Sequence, residues 1–144
     1  SPNLLLFGGT GIGKTHLSLA IAKKVAENGY NVTYLSAPDL FTALEKERFN
    51  GEKNGENFES LTGCDLLLID DLGAEFTTSF TISALYNLIN TRLLAGRPTI
   101  ITANLVPSEL QQRYSERIAS RLLGCFEHLH FVGNDIRILK KKRK

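Results

Sequence analysis

Eight residues near the start of the chain, Gly8-Gly9-Thr10-Gly11-Ile12-Gly13-Lys14-Thr15, restrict the possible fold more than any other feature. They fit the spacing GxxxxGK[ST] through Gly8, Gly13, Lys14 and Thr15. Such a loop works only where a strand delivers the chain to a tight turn and a helix leaves it. The apolar run Asn3-Leu4-Leu5-Leu6-Phe7 precedes it. After it, Leu17, Ala20, Ile21 and Val25 recur at helical spacing, which predicts a helix from Lys14 to about Asn28, stopped by Gly29. Glycines let backbone N–H groups close around phosphate oxygens without Cβ clashes, and the helix points its positive end at the same anion. Lys14 is then expected to neutralise the β- and γ-phosphates, and the Thr15 hydroxyl to ligate Mg²⁺. His16, just inside the helix, belongs to the nucleotide-binding segment by position and reads as structural, not catalytic. A dinucleotide fingerprint GxGxxG through Gly9 and Gly11 fails, because position 14 is Lys.

The remaining chain repeats the alternation of short apolar runs and longer helical segments, which implies an α/β fold with a parallel sheet. Further strands are expected at Val32–Ser36, Leu66–Ile69, Thr99–Thr102 and Phe126–Val132, making five with the first. Four of the five are continuous apolar runs, as in strands covered on both faces. Helices are expected from Pro38 to about Arg48, from about Ser79 to Leu94 with Ile82, Leu85, Ile89 and Leu93 on one stripe, and from about Ser115 to Leu123. The polar stretch Asn50 to Asn57 reads as a loop. At 144 residues and 42% apolar composition the chain is one domain with a core. No run is long enough to span a bilayer, no signal peptide is visible, and two distant cysteines make no disulfide framework, so a cytoplasmic, reducing setting is expected. Cys64 and Cys125 are expected as small buried hydrophobes. The formal charge of +2 becomes −3 once the five basic residues Lys140 to Lys144 are set aside. That tail is either a solvated, disordered end or a contact to a phosphate backbone. The absence of Met and the opening Ser1-Pro2-Asn3 suggest a fragment cut from a longer protein.

Acid at the end of a buried strand is the second chemical signal. Leu66-Leu67-Leu68-Ile69-Asp70-Asp71 puts carboxylates at the C-terminal edge of a central strand, where a doubly wound sheet binds its ligand. Asp70 would hold Mg²⁺ through water, and Asp71 would orient or deprotonate the attacking water. The plainer alternative is that both cap the next turn. Asn104, after the run Thr99 to Thr102, either reaches the γ-phosphate and lytic water or sits in a turn before Pro107. Arg117 and Arg121 are four apart and share a helix face, which is either solvated or presents an arginine to a neighbouring subunit's nucleotide. His128 and His130 share one strand face with no third ligand nearby, so a metal site is not expected there.

Together these segments resemble the AAA+ branch of P-loop ATPases, and more particularly bacterial replicative-helicase loaders of the DnaC/DnaI type. The resemblance rests on Gly8 to Leu17, Ile69-Asp70-Asp71-Leu72-Gly73-Ala74-Glu75, Ile101-Thr102-Ala103-Asn104-Leu105 and Tyr114-Ser115-Glu116-Arg117-Ile118-Ala119-Ser120-Arg121-Leu122, and covers Leu4 to about Arg137. It implies a three-layer P-loop sandwich with a five-stranded parallel sheet in the order 5-1-4-3-2 and a reduced or absent lid. It implies an ATPase core over residues 1–139 and a basic tail over 140–144, with a helicase-binding N-terminal domain absent from this chain. By resemblance, Lys14 and Thr15 form the Walker-A pair, Asp70 is the Walker-B metal acid, Asn104 is the sensor-1 residue and Arg121 the arginine finger in trans, with Arg117 second. Most AAA+ proteins carry Glu after the Walker-B Asp. Asp71 is one methylene shorter, which favours slow hydrolysis. Arg137 is the candidate for a lid arginine.

The resulting expectation is an ATP/ADP- and Mg²⁺-binding ATPase, slow as a monomer, that self-assembles on single-stranded DNA and helps load a replicative helicase. One alternative is the ATPase helper of an insertion-sequence transposase, which resembles loaders across the same core. Another is a small-molecule kinase on a P-loop fold, although no Arg-rich lid is obvious.

Overall fold

A computed structural model describes residues 3–9, 12–51, 55–132 and 135–139. Thr10, Gly11, the side chain of Ile12 and the tail from Lys140 to Lys144 lie outside the described residues. In chain order the elements are β1 (Leu4–Gly8), α1 (Ile12–Glu27), β2 (Val32–Ser36), α2 (Ala37–Phe49), α3 (Glu56–Gly63), β3 (Leu66–Leu72), α4 (Ser79–Leu94), β4 (Thr99–Ala103), α5 (Pro107–Arg113), α6 (Glu116–Cys125), β5 (Glu127–Val132) and β6 (Asp135–Leu139).

The sheet runs β2-β3-β4-β1-β5-β6. Its first five strands pair in parallel, in the expected order 5-1-4-3-2 read from the other edge. β6 was not expected. It folds back antiparallel on β5, with Arg137 opposite His130, so Arg137 belongs to an edge strand and not to a lid. Among the described residues α6 is the last helix.

Strand alternation sorts the apolar side chains into two layers. Leu5, Phe7, Leu67, Ile69 and Ile101 face one way and pack with Leu40, Leu44, Leu85, Leu88, Ile89, Leu110, Ile118 and Leu122 from α2, α4, α5 and α6. Leu6, Leu66, Leu68 and Ile100 face the other way, onto Leu17, Ile21, Ala22 and Val25 of α1. Helices on both faces explain why these strands carry no polar alternation.

Two short helices escaped the sequence reading. α5 begins at Pro107, which suits a first helical turn, with the Glu109 carboxylate accepting from Val106 N at 3.1 Å. α3 includes Glu56 and Asn57 of the expected loop. Eight residues are too few to hold a helix alone, and Gly55 at its N-cap offers no side chain. Its ends are held from elsewhere in the chain. The Glu47 carboxylate on α2 accepts from Asn57 N and from Phe58 N at one end. At the other, Arg92 on α4 donates to the carbonyls of Leu61 at 2.8 Å, Thr62 at 3.3 Å and Cys64 at 2.9 Å. A cation at a helix C-terminus also complements the helix dipole.

Arg92 is 1% exposed, and its hydrogen bonds among the described residues go to carbonyls, a hydroxyl and a thiol, not to a carboxylate. Its remaining donors reach Thr99 Oγ1 at 2.9 Å and Pro98 O at 2.7 Å, so one guanidinium ties α3, α4 and the entry to β4 together. Cys64 is buried beside it, whereas Cys125 ends α6 exposed, against expectation, because the apolar stripe of that helix runs through Ile118, Ala119 and Leu122. Arg92→Leu keeps the apolar volume but orphans several buried carbonyls. It should lower stability by about 3 kcal/mol in urea denaturation, and an unchanged midpoint would refute the clasp.

Candidate functional site

The C-terminal ends of β1, β3 and β4 meet at one edge of the sheet, with the N-terminus of α1 beside them. Gly8 has φ +141°, and a Cβ there would collide with the Phe131 carbonyl oxygen. A Cβ on Gly13 would lie 3.2 Å from the Phe131 ring. The loop glycines at these two positions are therefore set by β5 as well as by the turn. Gly13, Lys14 and Thr15 lie in the first turn of α1, where backbone N–H groups lack helical partners. His16 is exposed on that helix.

Lys14 is 4% exposed, and its Nζ donates to the carbonyls of Gly9 at 2.5 Å and Gly8 at 3.3 Å. Burial lowers its pKa, while the nearby carboxylates of Asp71 and Asp70 oppose that shift. Asp70 gathers three hydroxyls from three other elements. Its Oδ1 accepts from Thr15 Oγ1 at 3.2 Å and Thr102 Oγ1 at 2.5 Å, and its Oδ2 accepts from Tyr34 OH at 2.8 Å. Thr15 and Asp70, fifty-five residues apart in sequence, thus stand together as two hard oxygen donors, the kind of set that suits Mg²⁺ shared with phosphates. No group of three or more His, Cys, Asp or Glu side chains able to hold a metal occurs among the described residues.

Asp71 lies in a different conformation from its neighbour. Its φ is +62°, unusual for a residue with a side chain, and the β3–β4 register shifts between Ile69 and Leu72. β3 therefore continues to Leu72, past the expected end at Ile69, with its carboxylates inside the irregularity. Asp71 N donates to Thr102 Oγ1 at 2.8 Å, and Asn104 Nδ2 donates to Asp71 Oδ1 at 3.2 Å. Asp71 and Asn104, predicted from separate motifs, are hydrogen-bonded.

Thr102 and Tyr34 were missed. Thr102 leaves a trace in the sequence, a hydroxyl at the end of the buried run Thr99 to Thr102. Tyr34 leaves none, because only strand pairing brings β2 beside β3. Among the described residues, Arg117 and Arg121 meet α4 and not this cluster. Arg121 Nε donates to Asn90 Oδ1 at 3.4 Å, and the guanidinium carbons of Arg117 and Arg121 lie 4.2 and 6.0 Å from the Tyr86 ring centre. They share one face of α6, against α4, as their spacing required. His130 stacks on Phe7 with ring centres 4.6 Å apart, and His128 contacts Leu122 O at 3.0 Å, which gives both histidines structural partners.

A glycine loop opening a helix, with strand-end carboxylates beside it on a 5-1-4-3-2 sheet, defines a P-loop nucleotide-binding domain of the AAA+ class. Over residues 1–144 the sequence matches the family described as IstB-like ATP binding protein, and the chain belongs to that family. It is 32% identical over 137 residues to the chromosomal replication initiator protein DnaA of Gluconobacter oxydans, covering 94% of this chain and 28% of that protein. It is 29% identical over 147 residues to a putative ATP-binding protein in an insertion sequence of Mycobacterium tuberculosis, covering 96% and 57%. With the replicative helicase loader DnaC of Escherichia coli it shares 25% over 121 residues, covering 83% and 49%. The chain thus spans from about a quarter to about half of these relatives. Among solved structures, DnaA bound to AMPPCP and single-stranded DNA has a TM-score of 0.81 at 28% identity, covering 90% of this chain and 40% of that one. A DnaC helicase loader shares the fold with a TM-score of 0.82 at 24% identity, covering 91% and 78%. No helix among the described residues is long and apolar enough to cross a membrane.

Burial, and then the hydrogen bond to Asp70, push the Tyr34 phenol up to about 12. A raised folded-state pKa gives stability that is complete below the unfolded value of about 10 and is lost as pH rises through the folded one. Between pH 10 and 12, chemical denaturation should therefore show the parent chain losing stability faster than Tyr34→Phe. Parallel curves for the two proteins would contradict the Tyr34–Asp70 bond.

Proposed function

We propose that this chain is the ATPase core of an assembly switch that works on DNA, of the helicase-loader kind. The observation that carries the reading is the convergence of Lys14, Thr15, Asp70, Asp71 and Asn104 at one sheet edge, while Arg117 and Arg121 rest on Tyr86 of α4. ATP binds with its phosphates against the loop from Gly8 to Thr15. Lys14 leaves its carbonyl partners to meet the β- and γ-phosphates, and neutralisation of phosphate charge offsets the cost of its burial. Thr15 and Asp70 would hold Mg²⁺, which supplies charge stabilisation at the phosphates. Asp71 orients the attacking water, and Asn104 fixes the Asp71 carboxylate while reaching toward the same water. Arg121 completes the site of a second copy, with Arg117 beside it.

This division of labour makes hydrolysis by a lone copy slow, since an arginine supplied in trans is worth roughly 10³ to 10⁵ in rate. Loader function is supported by similarity to DnaC and, in fold, to a DnaC helicase loader. Binding of single-stranded DNA is supported by the DnaA structure that contains it. A region outside this chain would contact the helicase. A second reading, the ATPase helper of an insertion-sequence transposase, is favoured by the Mycobacterium relative, of which this chain covers 57%. A transposase gene beside the intact gene would select it.

Fluorescence anisotropy of a labelled oligo-dT separates the outcomes. Binding should appear with ATP–Mg²⁺, fall away with ADP–Mg²⁺ or no nucleotide, and be lost in Arg121→Ala. Equal binding in every condition would assign the contact to the basic tail and defeat the switch.

A further inference from the structure

The proposed catalytic residues leave Glu75 unused, yet it is one of the most heavily engaged side chains in the molecule. It lies two residues beyond Gly73 in the turn that follows β3, and it is 6% exposed. Its Oε1 accepts from Gly73 N at 3.0 Å. Tyr114 OH reaches both carboxylate oxygens, at 2.7 and 3.0 Å. The Arg113 guanidinium lies 3.7 Å from Oε2 and also donates to the Glu75 carbonyl. Burial, and then this carboxylate, push the Tyr114 phenol far up.

The two sides of this contact matter for different reasons. On one side is the turn that carries Asp71 at φ +62° and Gly73 at φ +105°. A non-glycine residue in that region is strained and persists only where its surroundings hold it. Ala74 N closes the turn on Asp71 O at 3.2 Å, and the Leu105 side chain sits where a Gly73 Cβ would be, 2.9 Å away. On the other side, Tyr114 is the C-cap of α5, and the next residue, Ser115, is the N-cap of α6. α6 then carries Arg117 and Arg121 onto Tyr86 of α4.

We infer that Glu75 is a positioning residue that clamps the Asp71 turn to the α5–α6 junction. The strained turn and the arginine-bearing helix are thereby held as one body. Any shift of Asp71 is passed to the start of α6 through the contacts of Glu75 with Gly73, Arg113 and Tyr114, and any load on α6 returns to Asp71 by the same route. The inference deepens the proposed function, because it links the site this copy completes in cis to the arginines it lends in trans.

Tyr114→Phe tests the clamp, since it removes one hydroxyl, keeps the ring in the core and leaves Glu75 with Gly73 and Arg113. Amide hydrogen exchange should rise in residues 71–76, although the substitution is 39 residues from Glu75 in sequence. Fluorescent-nucleotide affinity should stay unchanged, while turnover at saturating ATP falls roughly tenfold, a split expected of misplaced chemistry and not of lost binding. Glu75→Gln, which keeps an acceptor for Gly73 N and Tyr114 OH and gives up the ion pair with Arg113, should stay close to the parent chain in both readouts. Exchange that rises only in α5 and α6, with residues 71–76 as protected as before, would overturn the inference. A parent chain that binds but never hydrolyses ATP would defeat the proposed function, and the exchange result would still decide the clamp.

Discussion

Everything at the sheet edge is organised around the carboxylate of Asp70. It ends the buried run of a central strand and takes hydroxyls from α1, β2 and β4. Three elements are thereby referenced to one acid. That arrangement is possible only because β2, β3, β4 and β1 lie side by side in parallel, so that their C-terminal ends coincide. Thr102 extends the reference by one residue, accepting from Asp71 N while donating to Asp70. The loop, the Asp70 carboxylate and the Asp71–Asn104 pair are not independent parts.

Asp71 illustrates how the fold accommodates strain. Its left-handed backbone turns the second carboxylate out of register with the strand and toward Asn104. The surroundings that hold it are drawn from β4, from the Asn104–Leu105 segment and from Glu75. Charges buried elsewhere act in a comparable way. Glu47 and Arg92 fix the two ends of α3, a helix with little capacity to form alone.

Much of this architecture was legible because burial on both faces forces continuous apolar runs, and those runs mark the strands of the parallel sheet. Strand order was not legible from periodicity; it came with the resemblance carried by the strand-end motifs. Lys14 and Thr15 announce themselves through the glycine spacing, and Asp70, Asp71 and Asn104 as polar groups placed where an apolar run stops. Tyr34 could not be read this way, because its role depends on pairing between β2 and β3. α3 was hidden because its caps come from residues 47 and 92, and β6 because Asp135-Ile136-Arg137-Ile138 alternates and lacks the continuous apolar run that marks the buried strands. Glu75 was visible as part of a characteristic segment, but its partners Arg113 and Tyr114 are separated from it by α4 and β4. Thr10, Gly11 and the basic tail, all part of the sequence reading, lie outside the described residues.

Under the proposed function, one copy begins the nucleotide site and another completes it. Mixing two inactive variants addresses that directly. Lys14→Ala lacks the phosphate contact but keeps Arg121, and Arg121→Ala keeps an intact loop but lacks the arginine that completes its neighbour's site. Each alone should hydrolyse ATP no faster than a dilute monomer, and an equimolar mixture should regain turnover, because some interfaces then join an intact loop to an intact arginine. A mixture as inactive as its components, under conditions where both assemble, would contradict completion in trans, as would parental turnover by Arg121→Ala alone.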